Sequence, residues 1–271
     1  MKIAVVLFNL GGPDSPEAVR PFLRNLFADP AIIALPWVLR RPLAGFIARR
    51  RAPVAQAIYG HIGGRSPILE ETQKQARALE AALAAPGLEV KAFVAMRYWH
   101  PFSDGAAMAV KGFAPDHIVL LPLYPQFSTT TTGSSLKDWR RAARKAGLAA
   151  PTSEVCCYPR APGFAAAMAA HIRAAFGEEG FGACGPQGWR LLLSAHGLPK
   201  RIVEKGDPYQ WQVEQSAQAI VAALDMPALE TQVCYQSRVG PLEWIGPATD
   251  AEIRRAGADG KNLMVAPLAF V

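Results

Sequence analysis

Short apolar runs rich in Val, Ile and Leu recur along the chain and alternate with longer helical patterns. The first pattern is that of a strand buried on both faces, the second that of a helix with one buried stripe. The spacing predicts strands over 2–9, 88–95, 117–122, 153–157, 189–194, 230–235 and 262–267. Helices are predicted over 16–28, 67–84, 103–112, 133–146, 161–176, 208–224 and 248–256. Strand and helix in alternation imply an α/β fold of parallel sheets covered by helices, with ligands bound beyond the carboxyl ends of the strands.

Three strand ends occur twice, in the same order. "VVLFNLGGP" (5–13) has a counterpart in "LLLSAHGLP" (191–199), "VAMRYWHP" (94–101) in "VCYQSRVGP" (233–241), and "VLLPLYPQF" (119–127) in "LMVAPLAFV" (263–271). The expectation is a duplicated α/β domain, with one copy over 1–150 and the other over 151–271. Between the first two matched strand ends the N-terminal copy holds far more chain. The extra material fits 30–66, which mixes Ile32, Ile33, Trp37, Leu43 and Phe46 with Arg40, Arg41, Arg49, Arg50 and Arg51. Its apolar and aromatic content argues against disorder, and an inserted segment of that length is expected to be functional.

Composition narrows this only a little. Of the 271 residues 51% are hydrophobic and 19% charged, enough for a core, and the net charge of +7 favours anionic partners without naming them. Basic charge unaccompanied by a recognised module disfavours nucleic-acid binding. The uncharged stretch 30–39 is about half the roughly 20 residues that a spanning helix needs. At the N-terminus, Gly-Gly-Pro and an acidic residue stand where a signal-peptide cleavage site would be, so that stretch reads as a first strand. The cysteines at 156, 157, 184 and 234 have no C-x-x-C spacing, which points to reduced thiols in a cytosolic protein.

Among the histidines at 61, 100, 117, 171 and 196, His196 stands out, because it ends a strand beside Gly197. There it can accept a proton or bind a metal. Ser194 invites a hydrolase reading, but G-x-S-x-G is absent. "NLGGPDSP" (9–16) is neither G-x-G-x-x-G nor a P-loop and reads as a tight turn before a helix. "STTTTGSS" (128–135) offers hydroxyls at a helix start, either to an anion or as a cap. "RYWHP" and "YQSRVGP" each bring an arginine and a tyrosine to a strand end, where an arginine can grip a carboxylate with two parallel hydrogen bonds. "YGHIGGRSP" (59–67) places a tyrosine and a serine around flexible glycines. An apolar, arginine-rimmed cleft holding a histidine would suit a flat hydrophobic dianion.

These motifs together resemble the ferrochelatase family, which inserts ferrous iron into a porphyrin. The resemblance runs through "LFNLGGPDSP", "FIARRRAP", "YGHIGGRSPI", "MRYWHP", "LPLYPQFSTTTTGSS", "SAHGLPKRIVEKGDPY" and "YQSRVGPLEWIGPATD" to "VAPLAFV". It implies two flavodoxin-like, chelatase-like three-layer domains with a cleft between them. His196 would be the active-site histidine and a ligand for the metal. Arg97 and Tyr98 would line the cleft, Trp244 would pack beside the macrocycle, and Arg51, Tyr59 and Ser66 would meet the propionates. The segment 30–51 matches a mobile lip through which porphyrin enters, often at a membrane surface. Fe2+ and protoporphyrin IX are the implied substrates, with no organic cofactor. The implied location is cytoplasmic with peripheral membrane contact, and no oligomeric state is implied.

The family binds the ring saddled, which exposes nitrogen lone pairs to the incoming cation, and a base then takes two pyrrole protons. In the family the stretch matching "VAPLAFV" runs on into Ser-Glu-His, whose glutamate faces the histidine; this sequence ends at Val271. The resemblance therefore implies a C-terminally shortened chain, inactive or weakly active alone, with no residue assigned to the 2Fe–2S cluster of some members. A porphyrin- or haem-binding protein without turnover, a coproporphyrin ferrochelatase and a cobalt chelatase are the competing expectations.

Overall fold

The computed structural model describes residues 1–177, 180–238 and 242–269. The chain falls into two compact units, Met1–Leu123 with Thr129–Cys156, and Tyr124–Ser128 with Cys157–Val271.

The first unit contains β1 (Lys2–Asn9), α1 (Val19–Phe27), α2 (Trp37–Gly60), α3 (Ile68–Ala82) and β2 (Glu89–Met96). It continues with α4 (Ser103–Phe113), β3 (His117–Pro122), α5 (Thr132–Ala146) and β4 (Thr152–Glu154). The strands form a parallel sheet in the order β2-β1-β3-β4. As a central strand, β1 is covered on both sides, which is why Ala4 to Phe8 form an unbroken apolar run and are all buried. Val5 and Leu7 pack against Ala76 of α3, while Phe8 meets Trp139 of α5 edge-on at 5.8 Å.

Most predicted elements are present, with three differences in the first unit. The predicted strand 153–157 is shorter, so Cys156 and Cys157 lie past its end, and both are free thiols. The first helix begins at Val19, because Ser15 and Pro16 are used in a turn closed by Ala18 N–H to Ser15 O at 3.1 Å. The inserted segment contains a long helix, α2, that was not predicted. Pro42 and Pro53 lie inside it and interrupt the helical signal. Its buried residues are Ala44, Ala48 and Ala52, spaced one turn apart, while Trp37, Val38, Leu39, Phe46, Val54 and Ile58 are exposed. The helix is amphipathic in an inverted sense, with small side chains inward and large ones outward.

The second unit contains α6 (Pro162–Phe176), β5 (Trp189–His196), α7 (Lys200–Glu204) and α8 (Tyr209–Leu224). After these come β6 (Glu230–Gln236), α9 (Thr249–Ala258) and β7 (Asn262–Pro267), and the parallel sheet runs β6-β5-β7. The central strand is again the most buried: Leu191, Leu192 and Leu193 have no exposed surface. Leu191 and Leu193 join a core with Val213, Ala217 and Ile220 of α8 and with Ala169 and Ile172 of α6. Segment 124–128 is gripped by α8: Phe127 N–H donates to Gln212 Oε1 at 2.7 Å, and Gln126 Nε2 donates to Ser216 Oγ at 2.8 Å.

The two sheets repeat one another in register. Leu7 pairs with Val94 and Leu121; the matching Leu193 pairs with Val233 and Ala266. Met96 N–H donates to Pro101 O at 2.7 Å, and Tyr235 N–H to Pro247 O at 2.8 Å. Leu123 N–H donates to Phe8 O, and Leu268 N–H to Ser194 O. These bonds correct the third sequence match by one residue, since Pro122 rather than Leu123 is the equivalent of Pro267. The matched residues 239–241 and 270–271 lie outside the described residues.

Asp104, in the first turn of α4, accepts hydrogen bonds from Arg141 at 2.5 Å and Lys145 at 3.1 Å. Arg141 above all holds its carboxyl down at about 2, aided by Lys145. A depressed carboxyl adds stability above its unfolded value of about 3.9 and loses that contribution as pH falls through the folded value. Asp104→Asn is therefore expected to lower the melting temperature at pH 7, with the gap to wild type closing between about pH 4 and pH 2 in thermal unfolding.

Candidate active site

In the second unit β5 delivers His196 to the surface at its last position, after the fully buried Leu191–Leu193. The imidazole Nδ1 lies 2.7 Å from Gly197 O. A carbonyl only accepts, so Nδ1 carries a hydrogen, and Nε2 is the ring nitrogen left out of that contact.

The backbone that holds this ring is closely fixed. Gly197 N–H donates to Gln236 O at 2.8 Å. A Cβ at Gly197 would come within 3.0 Å of that carbonyl and 3.2 Å of the Trp244 ring, a tight fit that favours glycine. Trp244 is held beside it by Ile245 N–H to Leu198 O and Lys200 N–H to Glu243 O, both at 2.9 Å. His196 and Trp244, distant in sequence, thus meet across Gly197. Trp244 also lines a recess of about 780 Å3 with Lys200, Glu204, Arg238 and Glu243.

The Gly-Asp-Pro-Tyr motif supports the histidine from behind. Buried Asp207 accepts from Tyr209 N–H at 3.0 Å, opening α8, and from Ser128 Oγ at 3.1 Å. The Tyr209 hydroxyl bonds to the backbone of His196, and burial, then the nearby Asp207 charge, pushes its pKa up. Ser194 is buried, 2.9 Å from Thr249 Oγ1, which disposes of a nucleophilic serine.

In the first unit the turn after β1 is shaped by close approach. Gly11 has φ +81, and a Cβ on it would meet Trp99 N at 3.0 Å; one on Gly12 would meet Ser66 Oγ at 2.4 Å. Ser66 is held there by its N–H to Pro13 O at 2.8 Å. These glycines make room for protein, which explains a glycine pair lacking any phosphate-binding spacing. Arg51 is exposed on α2, and Tyr59 lies about two turns further on, its hydroxyl pKa raised by partial burial.

Arg97 and Tyr98 follow β2 directly. Tyr98 has no exposed surface, and its hydroxyl donates to Asp29 Oδ2 at 2.9 Å. Arg97 has a side chain 20% exposed, with Nη2 2.7 Å from the same Asp29 oxygen and Nε 2.7 Å from Ser134 Oγ. Tyr98 is thus buried around Asp29, and of the pair only Arg97 reaches the surface. Tyr235 of the matching motif is likewise buried, and Arg238 is exposed. Asp29 stands outside every motif read from the sequence, its one local sign an Asp-Pro turn signal at 29–30. Ser134, Asp207 and Tyr209 lie in motifs whose sequence does not reveal these contacts.

Between α1 and α2 lies a groove of about 1260 Å3, lined by Arg20, Arg24, Arg41 and Arg49 with Trp37 and Phe46. Among the described residues no group of three or more His, Cys, Asp and Glu side chains is arranged to hold a metal. His61, His100 and His171 are exposed, and His117 lies 2.9 Å from Ser153 Oγ.

The family model described as ferrochelatase matches residues 2–271. A ferrochelatase of Phenylobacterium zucineum is 60% identical over all of this chain and 77% of its own length. Those of Caulobacter vibrioides and Pelagibacter ubique are 58% and 47% identical, over 76% and 77% of their lengths. The solved structure of SirB from Bacillus subtilis with Fe3+ is similar at a TM-score of 0.50 and 12% identity, covering 99% of this chain and 89% of that one. That likeness concerns the fold: parallel α/β, as the sequence pattern implied.

Gly197→Ala is expected to cost about 1–3 kcal/mol in denaturant unfolding, because neither Gln236 O nor the Trp244 ring can yield cheaply. The same substitution should change the near-ultraviolet circular dichroism as the indole is displaced.

Proposed function

The chain belongs to the ferrochelatase family, which inserts ferrous iron into protoporphyrin IX to form protohaem, and from that premise we propose that His196 is the base that takes the pyrrole protons. The observation that carries this is the Nδ1 contact with Gly197 O, which leaves Nε2 as the ring nitrogen to accept a proton. Metallation must remove two N–H protons from the macrocycle while a cation enters. A neutral imidazole at the strand's end can take one proton, pass it to solvent and take the next. The exposed ring favours that discharge. Tyr209 and Asp207 fix the backbone on which the ring sits, so the base is positioned before substrate arrives.

Trp244 supplies an apolar face beside the base, where a porphyrin ring can lie against the indole and be held away from planarity by contacts at its rim. In the first unit, Arg51, Tyr59 and Ser66 are the groups offered to propionates, and Arg97 is a guanidinium pre-oriented by Asp29. Tyr98 contributes through Asp29 rather than by touching substrate. His196 is also the group offered to the incoming iron, since imidazole suits Fe2+.

The same reading places the protein in the cytoplasm, in peripheral contact with a membrane through 30–51. Among the described residues no helix is long and apolar enough to cross a membrane. Exposed Trp37, Val38 and Phe46 beside the arginines of the α1–α2 groove support a face that dips into an anionic bilayer surface. Each cation near such a surface adds about 1 kcal/mol.

Zinc insertion into protoporphyrin IX, followed by fluorescence in the full-length protein, tests the base. His196→Ala is expected to lower kcat by about 10²–10⁴-fold with porphyrin affinity retained; undiminished turnover would remove His196 from the mechanism. In vesicle co-sedimentation, phosphatidylglycerol should retain the protein better than phosphatidylcholine. Trp37→Ser with Phe46→Ser should release it, and equal retention of the double variant would refute the membrane face.

A further inference from the structure

Asp29 lies just past the end of α1 and is 3% exposed, yet it is a carboxylate with no place in the reaction described above. Its Oδ2 is met by three donors: Tyr98 OH at 2.9 Å, Ser134 Oγ at 2.5 Å and Arg97 Nη2 at 2.7 Å. Its Oδ1 accepts from Ala31 N–H at 2.8 Å, and its carbonyl accepts from the N–H groups of Ile32 and Ile33 at 3.1 and 3.0 Å. One residue thus ties together the end of β2, the first turn of α5 and the first turn of the inserted segment that leads into α2.

We infer that Asp29 is a positioning residue for porphyrin binding: it orients the Arg97 guanidinium and anchors the root of the 30–66 segment. Two of the Arg97 nitrogens are committed, Nη2 to Asp29 and Nε to Ser134, which fixes the plane of the fork and leaves its remaining edge for a ligand. A carboxylate suits this place because it accepts from every direction and donates in none, and all six groups that meet Asp29's side-chain oxygens and carbonyl are donors. Neutral asparagine would keep the shape but has a single side-chain oxygen, so its N–H2 must face either the Oδ2 donors or Ala31 N–H, loosening the guanidinium or the start of the turn. The charge of Asp29 also lies at the start of α5, whose first-turn amides favour an anion.

This inference rests on the ferrochelatase reading for its substrate, and its test separates the two. Asp29→Asn, Arg97→Ala and the double variant are compared in the full-length protein by zinc insertion, by porphyrin fluorescence titration and by hydrogen exchange at Ala31, Ile32 and Ile33. Asp29→Asn is expected to raise the porphyrin KM about tenfold with kcat within about threefold, and to add nothing in the Arg97→Ala background. Exchange at Ala31, whose N–H bonds the side chain, should quicken about tenfold, with Ile32 and Ile33 as backbone-bonded references. Ser134→Ala, which removes one donor and no charge, should shift KM in the same direction by less, and it decides the matter if Asp29→Asn does not fold. Multiplying effects of Asp29→Asn and Arg97→Ala, or an unchanged porphyrin KM and dissociation constant, would overturn the inference. Absence of zinc insertion by the wild type with porphyrin still bound would sink the catalytic reading alone, and the titration and exchange would then decide the role of Asp29.

Discussion

A parallel strand covered by helices on both faces has one place to show a polar side chain, its carboxyl end. Both units are organised by that constraint. β1 and β5 are the central strands, their interior positions are closed to solvent, and the chain can turn chemical only where the sheet stops. In the second unit the stop is His196; in the first it is the glycine pair that admits Ser66 and Trp99. The duplicated register brings corresponding backbone atoms to corresponding places, but Leu10 stands where the other copy has His196. One copy carries a histidine at that place and the other does not.

Behind the exposed groups, buried carboxylates do the arranging. Asp207 collects Ser128 and the start of α8 and, through Tyr209, steadies the backbone of His196. Asp29 collects Tyr98, Ser134, Arg97 and the turn after α1. In each case a side chain that only accepts is surrounded by groups that donate to it, an arrangement that tolerates burial because no lone pair is left facing a lone pair.

Strands were legible because a doubly buried strand leaves an unbroken apolar run that nothing else in the chain mimics. His196 was legible because such a run ended in it. The helix α2 was not, since its prolines and its alanine stripe hide the usual sign of an amphipathic helix, a large apolar side chain every turn. Asp29 was invisible for a different reason: its partners are far away in sequence, and an aspartate before a proline looks like any turn. Tyr98, an aromatic at a strand's end, reads as a surface group, and only the position of Asp29 draws it inward. The one-residue slip in the third repeat came from aligning letters where pairing partners decide.

The alanine stripe of α2 has a consequence for how that helix is held. Large side chains interlock like the teeth of different gears and permit one fit; Ala44, Ala48 and Ala52 are identical teeth. A slide of one turn, about 5.4 Å, would set Ala48 where Ala44 had been and present α1 with nearly the same surface. The contact fixes the spacing of the two helices and leaves the sliding coordinate nearly flat. That coordinate is pinned from the ends, by Arg40 Nε to Ala28 O and by Gln56 Nε2 to Pro16 O, each at 2.8 Å. A helix held this way is a bolt in a smooth channel, caught at both ends.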